Sequence, residues 1–253
     1  MTSWDPAQYE RYSAERHRPA IDLIVRIGGE PAEIWDLGCG TGSATRMLAR
    51  RWPAAIVHGL DSSEEMLTQA RRIPGIDWVL EDMTDWSPPS PVDLLFSNAA
   101  LQWLGDHEIL FPRLADAVAP GGTLAIQMPR NFGEPSHTLL AEIARSPAWR
   151  HLAAHLTRPV PVAEPAFYHR LLRSRFETLD IWETSYLEVL GGADPVAEWA
   201  RGTAARPYLD ALGEAAEDFM ADYAAELRVA YPPLEDGVTL FPFRRLFVLG
   251  VKR

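Results

Sequence analysis

Three glycines alternate with other residues directly after a short apolar run. Residues 34–43 read Ile-Trp-Asp-Leu-Gly-Cys-Gly-Thr-Gly-Ser, and a helical pattern follows over residues 44–51. This order predicts a strand, a tight turn and a helix. Glycine adopts positive φ easily and has no Cβ, so the backbone at Gly38, Gly40 and Gly42 can approach a small molecule closely. The chemistry expected here is ligand binding at the carboxyl end of the strand.

The spacing of these glycines excludes two common nucleotide-binding loops. A dinucleotide fingerprint, G-x-G-x-x-G, requires a third glycine where the chain has Ser43. A phosphate-binding P-loop requires Gly-Lys-Ser/Thr, which does not follow. The pattern that remains is acid-x-G-x-G-x-G, with Asp36 as the acid. A glycine-rich turn in some other α/β fold stays open as an alternative at this point.

The elements that must position this loop alternate between strands and helices. An acid, Asp61, closes the strand after the glycine loop and can accept both hydroxyls of a ribose, with Ser62 or Ser63 as the N-cap of the next helix. Such an alternation predicts a doubly wound parallel sheet. The first five strands are predicted near residues 34–36, 55–60, 76–80, 92–98 and 123–128.

The second half of the chain follows a different pattern. Residues 131–168 are helical with proline-rich breaks, and two strand-like stretches, 176–190 and 238–251, are rich in β-branched and aromatic residues. A helical stretch of 37 residues, 195–231, lies between these two strands. At the other end of the chain, residues 4–18 and 20–27 predict two helices that meet at Pro19.

Composition limits the possible partners of the chain. With 253 residues and 47% hydrophobic content, one large α/β domain is expected. The net charge of −11 disfavours nucleic acid and anionic membranes and favours a small-molecule substrate, and no obligate protein partner is indicated. A membrane span and a signal peptide are not indicated, so we expect a cytoplasmic protein. The single cysteine, Cys39, excludes a disulfide framework and a cysteine-rich metal site.

The acid-x-G-x-G-x-G loop resembles motif I of the class I S-adenosylmethionine-dependent methyltransferases. The resemblance implies a Rossmann-like, seven-stranded sheet that ends in an antiparallel pair, with the helices between the last two strands capping the pocket. It implies that Asp36 serves the ammonium group of S-adenosylmethionine, that Asp82 meets the adenine amino group and that Met83 covers the ring. Ser62, next to Asp61, and Asn98 are also expected to bind the cofactor. The segment that begins at Asn98 is then expected beside the methyl donor, and S-adenosylhomocysteine is the product.

Further segments resemble the trans-aconitate 2-methyltransferase family, whose members are small cytoplasmic enzymes that esterify a carboxylate. The resemblance implies that a small polycarboxylate is the substrate and that Arg206, Arg245, Arg18 and Tyr9 bind it. The segments that carry it are Trp-Asp-Pro (4–6), Glu-Arg-His-Arg-Pro-Ala (15–20), Arg-Trp-Pro-Ala-Ala (51–55), Asn-Ala-Ala-Leu-Gln-Trp-Leu (98–104), Gln-Met-Pro (127–129), Glu-Pro-Ser-His (134–137), Asp-Ile-Trp-Glu-Thr (180–184), Ala-Arg-Pro (205–207) and Arg-Leu-Phe (245–247).

A single methyltransferase domain over residues 1–253 is therefore expected, with N-terminal lid helices at about 4–27 and a helical cap at about 191–236. A carboxylate is already ionised at neutral pH, so methylation needs alignment and not a general base. Gln102 and Trp103 are the candidates for positioning, and a core tryptophan is the alternative for Trp103. His107 and His137 are expected to be capping or surface residues.

Other functions remain open at this stage. A class I methyltransferase could act on another small acceptor, although a phenol or a carbon acceptor would need a base. A non-catalytic module that binds S-adenosylmethionine would keep the same loop. A nicotinamide dehydrogenase is disfavoured because Ser43 occupies the position of the third glycine.

Overall fold

The computed structural model describes residues 13–156 and 162–253, and side chains from His17 onward. The strands are β1 (Glu33–Leu37), β2 (Ile56–Asp61), β3 (Asp77–Leu80), β4 (Val92–Asn98), β5 (Val118–Pro129), β6 (Phe176–Leu190) and β7 (Thr239–Lys252). The α-helices are α1 (Ser13–Ile24), α2 (Ser43–Arg51), α3 (Glu64–Ala70), α4 (His107–Asp116), α5 (Pro135–Arg145), α6 (Arg150–Ala153), α7 (Pro165–Leu172), α8 (Pro195–Arg201), α9 (Arg206–Leu212) and α10 (Ala216–Ala230).

The seven strands form one sheet in the order β3-β2-β1-β4-β5-β7-β6. Strands β1 to β5 pair in parallel, whereas β7 runs antiparallel to β5. The strand order reverses between β1 and β4, which is the switch point where ligands bind in doubly wound sheets. The predicted fold is confirmed, including the late antiparallel strand.

The centre of the sheet is apolar because helices cover both faces of a parallel sheet. Ile34 and Leu37 of β1 and Leu94, Leu95 and Phe96 of β4 have no solvent-exposed surface. These strands therefore give a rigid base for the loops at their carboxyl ends. The glycine loop after β1 and the turn after β4 are the two loops at the switch point.

The structure corrects two predicted element boundaries. The predicted helix break at Pro19 is wrong, because α1 runs from Ser13 to Ile24 through that proline. Proline removes one backbone hydrogen bond from a helix, but Ala20 and Leu23 on the same helix are buried, which offsets the loss. Strand β5 begins five residues before the predicted start, with irregular pairing near Val92.

The chain divides into two compact units. The sheet unit lies within Arg16–Pro129, Pro161–Thr184 and Arg245–Arg253. The helical unit contains Arg130–Val160 and Ser185–Arg244, as far as these ranges are described. The helices between β6 and β7 therefore share a unit with α5 and α6, a grouping that the sequence pattern did not predict. The single domain with a lid and a cap stays a prediction.

The helical unit has its own core of aromatic residues. The rings of Tyr208 and Phe219 stack with centroids 5.6 Å apart, and Phe241 packs edge-on against Tyr231. Tyr223 is fully buried and its hydroxyl donates to the carbonyl of Ser136 on α5. These contacts tie α5 to α10 and so explain why the unit holds together.

Among the described residues, every helix is too short or too polar to cross a bilayer.

Candidate active site

The glycine loop after β1 is held against the end of β2 by backbone hydrogen bonds. The N–H groups of Gly38 and Cys39 both donate to the carbonyl of Leu60, over 2.8 and 2.9 Å. Gly38, Gly40 and Gly42 have φ of 74°, 56° and 79°, a left-handed conformation that side chains other than glycine rarely adopt. The alternating glycines are therefore a requirement of the backbone itself.

The three glycines face different surroundings. A Cβ added at Gly38 would lie 2.2 Å from the Cβ of Ala100, and one at Gly42 would lie 2.4 Å from the ring of Trp78. At Gly40, apart from its chain neighbours, no described atom lies within 4 Å of such a Cβ. Two glycines therefore permit close packing inside the protein. Gly40 borders open space that a ligand can enter.

The carboxylate of Asp61 is oriented beside this space by two backbone hydrogen bonds. Its Oδ2 accepts the N–H of Gly40 over 2.8 Å, and its Oδ1 accepts the N–H of Ser63 over 2.9 Å. Each carboxylate oxygen has a further lone pair that can accept a hydroxyl. The arrangement fits a ribose with two neighbouring hydroxyls. Ser63 is the N-cap of α3, accepting the N–H of Met66, and Ser62 is exposed and does not cap the helix.

Asp36 lies on β1, two residues before Gly38, and is only 1% exposed. Its Oδ2 accepts the hydroxyl of Thr45 on α2 over 2.7 Å. Burial raises the pKa of Asp36 to about 7, against the opposing effect of the Thr45 hydrogen bond, and the negative charge of Asp61 adds to the increase. This hydrogen bond ties β1 to α2 on either side of the glycine loop. The contact of Asp36 with an ammonium group stays a prediction.

The segment after β3 brings Asp82 and Met83 to the same edge of the sheet. The N–H of Thr84 donates to Asp82 Oδ1 over 2.8 Å, and this bond holds the pKa of the exposed Asp82 carboxyl below its usual value. The sulfur of Met83 lies 3.2 Å from the position that a Gly38 Cβ would take, so Met83 borders the glycine loop. Arg113 fixes the segment by donating to the carbonyl of Met83 over 2.9 Å.

The turn after β4 contains backbone strain. Ala99 has φ of 55°, which costs an L-residue roughly 1–2 kcal/mol. Its N–H donates to the carbonyl of Gln127, and its own carbonyl accepts Nε2 of the buried Gln102 over 2.6 Å. Trp103, which ends this turn, is 70% exposed, so the alternative of a core tryptophan is wrong. The turn therefore fixes the end of β4 at Asn98, and β4 is the strand that pairs with β1 next to the glycine loop.

A chain of hydrogen bonds through His107 and Tyr168 anchors this turn. The carbonyl of Leu101 lies 3.0 Å from His107 Nε2 and can only accept, so Nε2 carries the proton of the neutral ring. His107 Nδ1 must then accept the hydroxyl of Tyr168 over 2.8 Å, and that oxygen accepts the N–H of Ala163. His107 is 7% exposed, so its prediction as a capping or surface residue is wrong.

We expect His107 to contribute a loss of stability as the pH drops below about 6.5. Burial lowers its pKa from 6.5, against the opposing effect of the carbonyls that its ring contacts, so the unfolded chain binds a proton more readily than the folded one. Urea unfolding at pH 8 and pH 6 should show a smaller loss of stability in His107→Gln than in the wild type. Equal losses would contradict this role.

Comparison with known proteins distinguishes between the functions considered for this site. A methyltransferase domain family model matches residues 34–122. Trans-aconitate 2-methyltransferase of Azoarcus sp. (strain BH72) is 46% identical over 255 residues, which cover the whole of both chains. The Streptomyces avermitilis protein of the same name is also 46% identical, over all of this chain and 98% of its own. The chain belongs to the trans-aconitate 2-methyltransferase family.

Membership of this family confirms the predicted enzyme class and its cofactor, S-adenosylmethionine. The fold agrees with a distant solved structure, phosphoethanolamine N-methyltransferase 2 of Haemonchus contortus in complex with S-adenosyl-L-methionine. The TM-score is 0.54 at 17% identity, over 92% of this chain and 52% of the longer one. The glycine loop, Asp61, Asp82 and Met83 all lie at the edge of the sheet that this class of fold uses for ligands.

The residues that family resemblance assigned to the substrate lie in both units. Arg245 is half-buried on β7, where it pairs in register with Pro129, and Arg18 is exposed on α1. Arg206 begins α9 in the helical unit, and its Nε donates to Asp210 over 3.0 Å. Tyr9 lies outside the described residues. Substrate binding by these four residues stays a prediction for this member of the trans-aconitate 2-methyltransferase family.

A tryptophan that the sequence pattern did not indicate supports the glycine loop. Trp78 of β3 packs where a Cβ at Gly42 or at Gly59 would lie, and its Nε1 donates to the carbonyl of Ile73. A glycine inside strand β2 was the available signal, because glycine in a strand often marks the close approach of another group. Gln127 of β5 is a second residue that the sequence pattern did not indicate, and it is fully buried.

Proposed function

We propose that this chain transfers the methyl group of S-adenosylmethionine to a carboxylate of trans-aconitate. The full-length identity of 46% to proteins of that name carries the choice of acceptor. The Asp61 carboxylate, aligned by Gly40 beside open space, supports the binding of the cofactor's ribose. When bound, S-adenosylmethionine supplies a methyl group attached to a positively charged sulfur.

The residues of the sheet unit fit a reaction that needs no general base. A substrate carboxylate has a pKa near 4 and is ionised at neutral pH, so it needs only alignment. Both ring nitrogens of His107 are engaged in hydrogen bonds. Burial raises the pKa of the Cys39 thiol well above its usual value, so it is not a nucleophile. The strained turn from Asn98 to Trp103 is proposed to position the acceptor.

The net charge of −11 repels a polycarboxylate, so cations must be concentrated where it binds. We propose Arg245 and Arg206 for this role, with Arg18 and Tyr9 in support. A guanidinium binds a carboxylate through two parallel hydrogen bonds and keeps its proton. A cytoplasmic location, without a nucleic-acid or obligate protein partner, completes the proposal.

The Arg206→Lys variant is expected to raise KM for trans-aconitate at least tenfold without changing the affinity for S-adenosylhomocysteine. Lysine keeps the charge but loses the fork that binds a carboxylate. The matched control is Arg201→Lys, since Arg201 of the same unit forms ion pairs with Glu198 and Glu217. Steady-state kinetics give KM and calorimetry gives the affinity. Equal KM values in wild type and Arg206→Lys would remove Arg206 from the substrate site.

Transfer of radiolabelled methyl from S-adenosylmethionine tests the proposed function as a whole. The panel holds trans-aconitate, cis-aconitate, citrate and small dicarboxylates. Preferred labelling of trans-aconitate supports the proposal. Labelling of another acid would make the chain a methyltransferase with a different acceptor. Binding of S-adenosylhomocysteine without transfer to any acid would indicate a non-catalytic module, and binding of NADH in its place would indicate a dehydrogenase.

A further inference from the structure

The side chain of Gln127 on β5 is fully buried, and neither of its amide atoms has a hydrogen-bond partner among the described residues. Buried polar groups in folded proteins are almost always paired, because an unpaired donor or acceptor loses its hydrogen bonds to water on folding. A glutamine with both ends unsatisfied is therefore a costly feature of the core. A bound molecule that forms hydrogen bonds with this amide would remove that cost.

The sheet register places Gln127 in a row of residues on one face. Gln127 pairs with Asn98 of β4 on one side and with Phe247 of β7 on the other. Paired residues on neighbouring strands direct their side chains to the same face, and the face repeats every two residues. Arg245 is two residues from Phe247, so it also shares this face. Asn98, Gln127 and Arg245 thus follow one another across three adjacent strands.

The order of the strands places Gln127 and Arg245 away from Asp61, the proposed ribose ligand. Neighbouring strands lie about 4.8 Å apart, so β5 is about 10 Å from β1, which carries the glycine loop. Asn98 on β4 stands between them and carries a buried Oδ1 that also has no partner among the described side chains. Gln127 is therefore one strand beyond Asn98 and one strand before Arg245. This is the side of the sheet unit away from Asp61 and the glycine loop.

We propose that Gln127 is a specificity residue whose Nε2 donates a hydrogen bond to a carboxylate of the acceptor, next to Arg245. The inference rests on the proposed function, because it takes the acceptor to be a polycarboxylate. A neutral amide suits this place, since it can be buried without the desolvation of a second charge. Neither amide atom reaches solvent in this conformation, so the side chains that cover Gln127 must move when the acceptor binds.

The test measures binding of trans-aconitate to the protein saturated with S-adenosylhomocysteine, by calorimetry. Gln127→Met keeps the length of the side chain and removes the amide, and Gln127→Glu adds a charge that repels a carboxylate. We expect Gln127→Met to weaken acceptor binding at least tenfold, Gln127→Glu to weaken it further, and both to keep the affinity for S-adenosylhomocysteine within twofold. The matched control is Gln69→Met on α3, which should bind like the wild type.

A structural role for Gln127 predicts a different result. Removal of an unsatisfied amide would then raise the thermal stability of Gln127→Met and leave acceptor binding unchanged, and this outcome overturns the inference. Loss of S-adenosylhomocysteine affinity in Gln127→Met would overturn it as well, since Gln127 would then serve the cofactor. Wild-type protein that binds trans-aconitate through Gln127 but does not methylate it would refute the proposed function and leave the inference standing. Failure of the wild type to bind trans-aconitate would refute both.

Discussion

Replacing Asp61 with alanine should weaken the binding of S-adenosylhomocysteine by roughly two to four orders of magnitude. Each carboxylate oxygen of Asp61 accepts one backbone N–H, from Gly40 and from Ser63, and is thereby aimed at the proposed ribose site. Hydrogen bonds to a charged group contribute about 1.5–3 kcal/mol each. Loss of two such bonds costs about 3–6 kcal/mol, and each 1.4 kcal/mol is a factor of about ten in affinity.

Calorimetry with three variants separates charge, geometry and fold in this prediction. Asp61→Asn keeps the shape of the side chain, so its affinity should fall between those of the wild type and Asp61→Ala. Glu65→Ala removes an exposed acid four residues away, in the first turn of α3, and should bind normally. An Asp61→Ala protein that unfolds cooperatively and binds S-adenosylhomocysteine like the wild type would show that Asp61 does not hold the ribose.

Alanine substitutions at Gly38 and Gly40 should affect different properties. The change at Gly38 should mainly lower stability, and the change at Gly40 should mainly lower affinity for the ligand. At Gly38 the new methyl group would lie 2.2 Å from the Cβ of Ala100, which has no rotamer by which to move away. Together with the left-handed backbone, this overlap should lower the unfolding free energy by about 2–5 kcal/mol. At Gly40 the methyl group meets open space, so only the backbone cost of about 1–2 kcal/mol is expected. That methyl group would nevertheless fill part of the space beside Asp61.

Gly40→Ala should therefore stay folded and lose at least tenfold in affinity for S-adenosylhomocysteine. Gly29→Ala is the matched control, because Gly29 also has positive φ, 78°, and no described atom other than its chain neighbours near a new Cβ. It should show the same loss of stability in denaturant unfolding and an unchanged affinity. If Gly40→Ala bound S-adenosylhomocysteine as tightly as Gly29→Ala, the ligand would not lie against Gly40.

The first five strands could be predicted from the sequence because their signals are local. Apolar runs of four to seven residues, each followed by a turn and a helical pattern, are almost sufficient to predict a parallel sheet. The carboxyl ends of parallel strands meet at one edge, so the positions of Asp61 and Asp82 at consecutive strand ends were sufficient to bring them together. Their roles as cofactor ligands stay predictions that the variants above test.

What the sequence did not predict depends on pairings between distant residues. His107 and Tyr168 are 61 positions apart, and their hydrogen bond requires α7 to pack beside α4, which no periodic pattern encodes. The place of Gln127 follows from the register of β5 against two other strands, and register is a property of the assembled sheet. Helix α1 continues through Pro19 for a similar reason, because burial of neighbouring residues outweighs a local rule.

The burial of Cys39 makes this protein convenient for spectroscopic labelling. It is the only cysteine of the chain, it is 8% exposed, and burial together with the nearby acids Asp36 and Asp61 raises the pKa of its thiol. Maleimides react with an accessible thiolate, so the natural protein should take up very little label. A cysteine introduced at an exposed position, such as that of Trp103, would then be the single reactive thiol. A fluorophore attached there would report on movements of the turn after β4 without any need to replace the native cysteine.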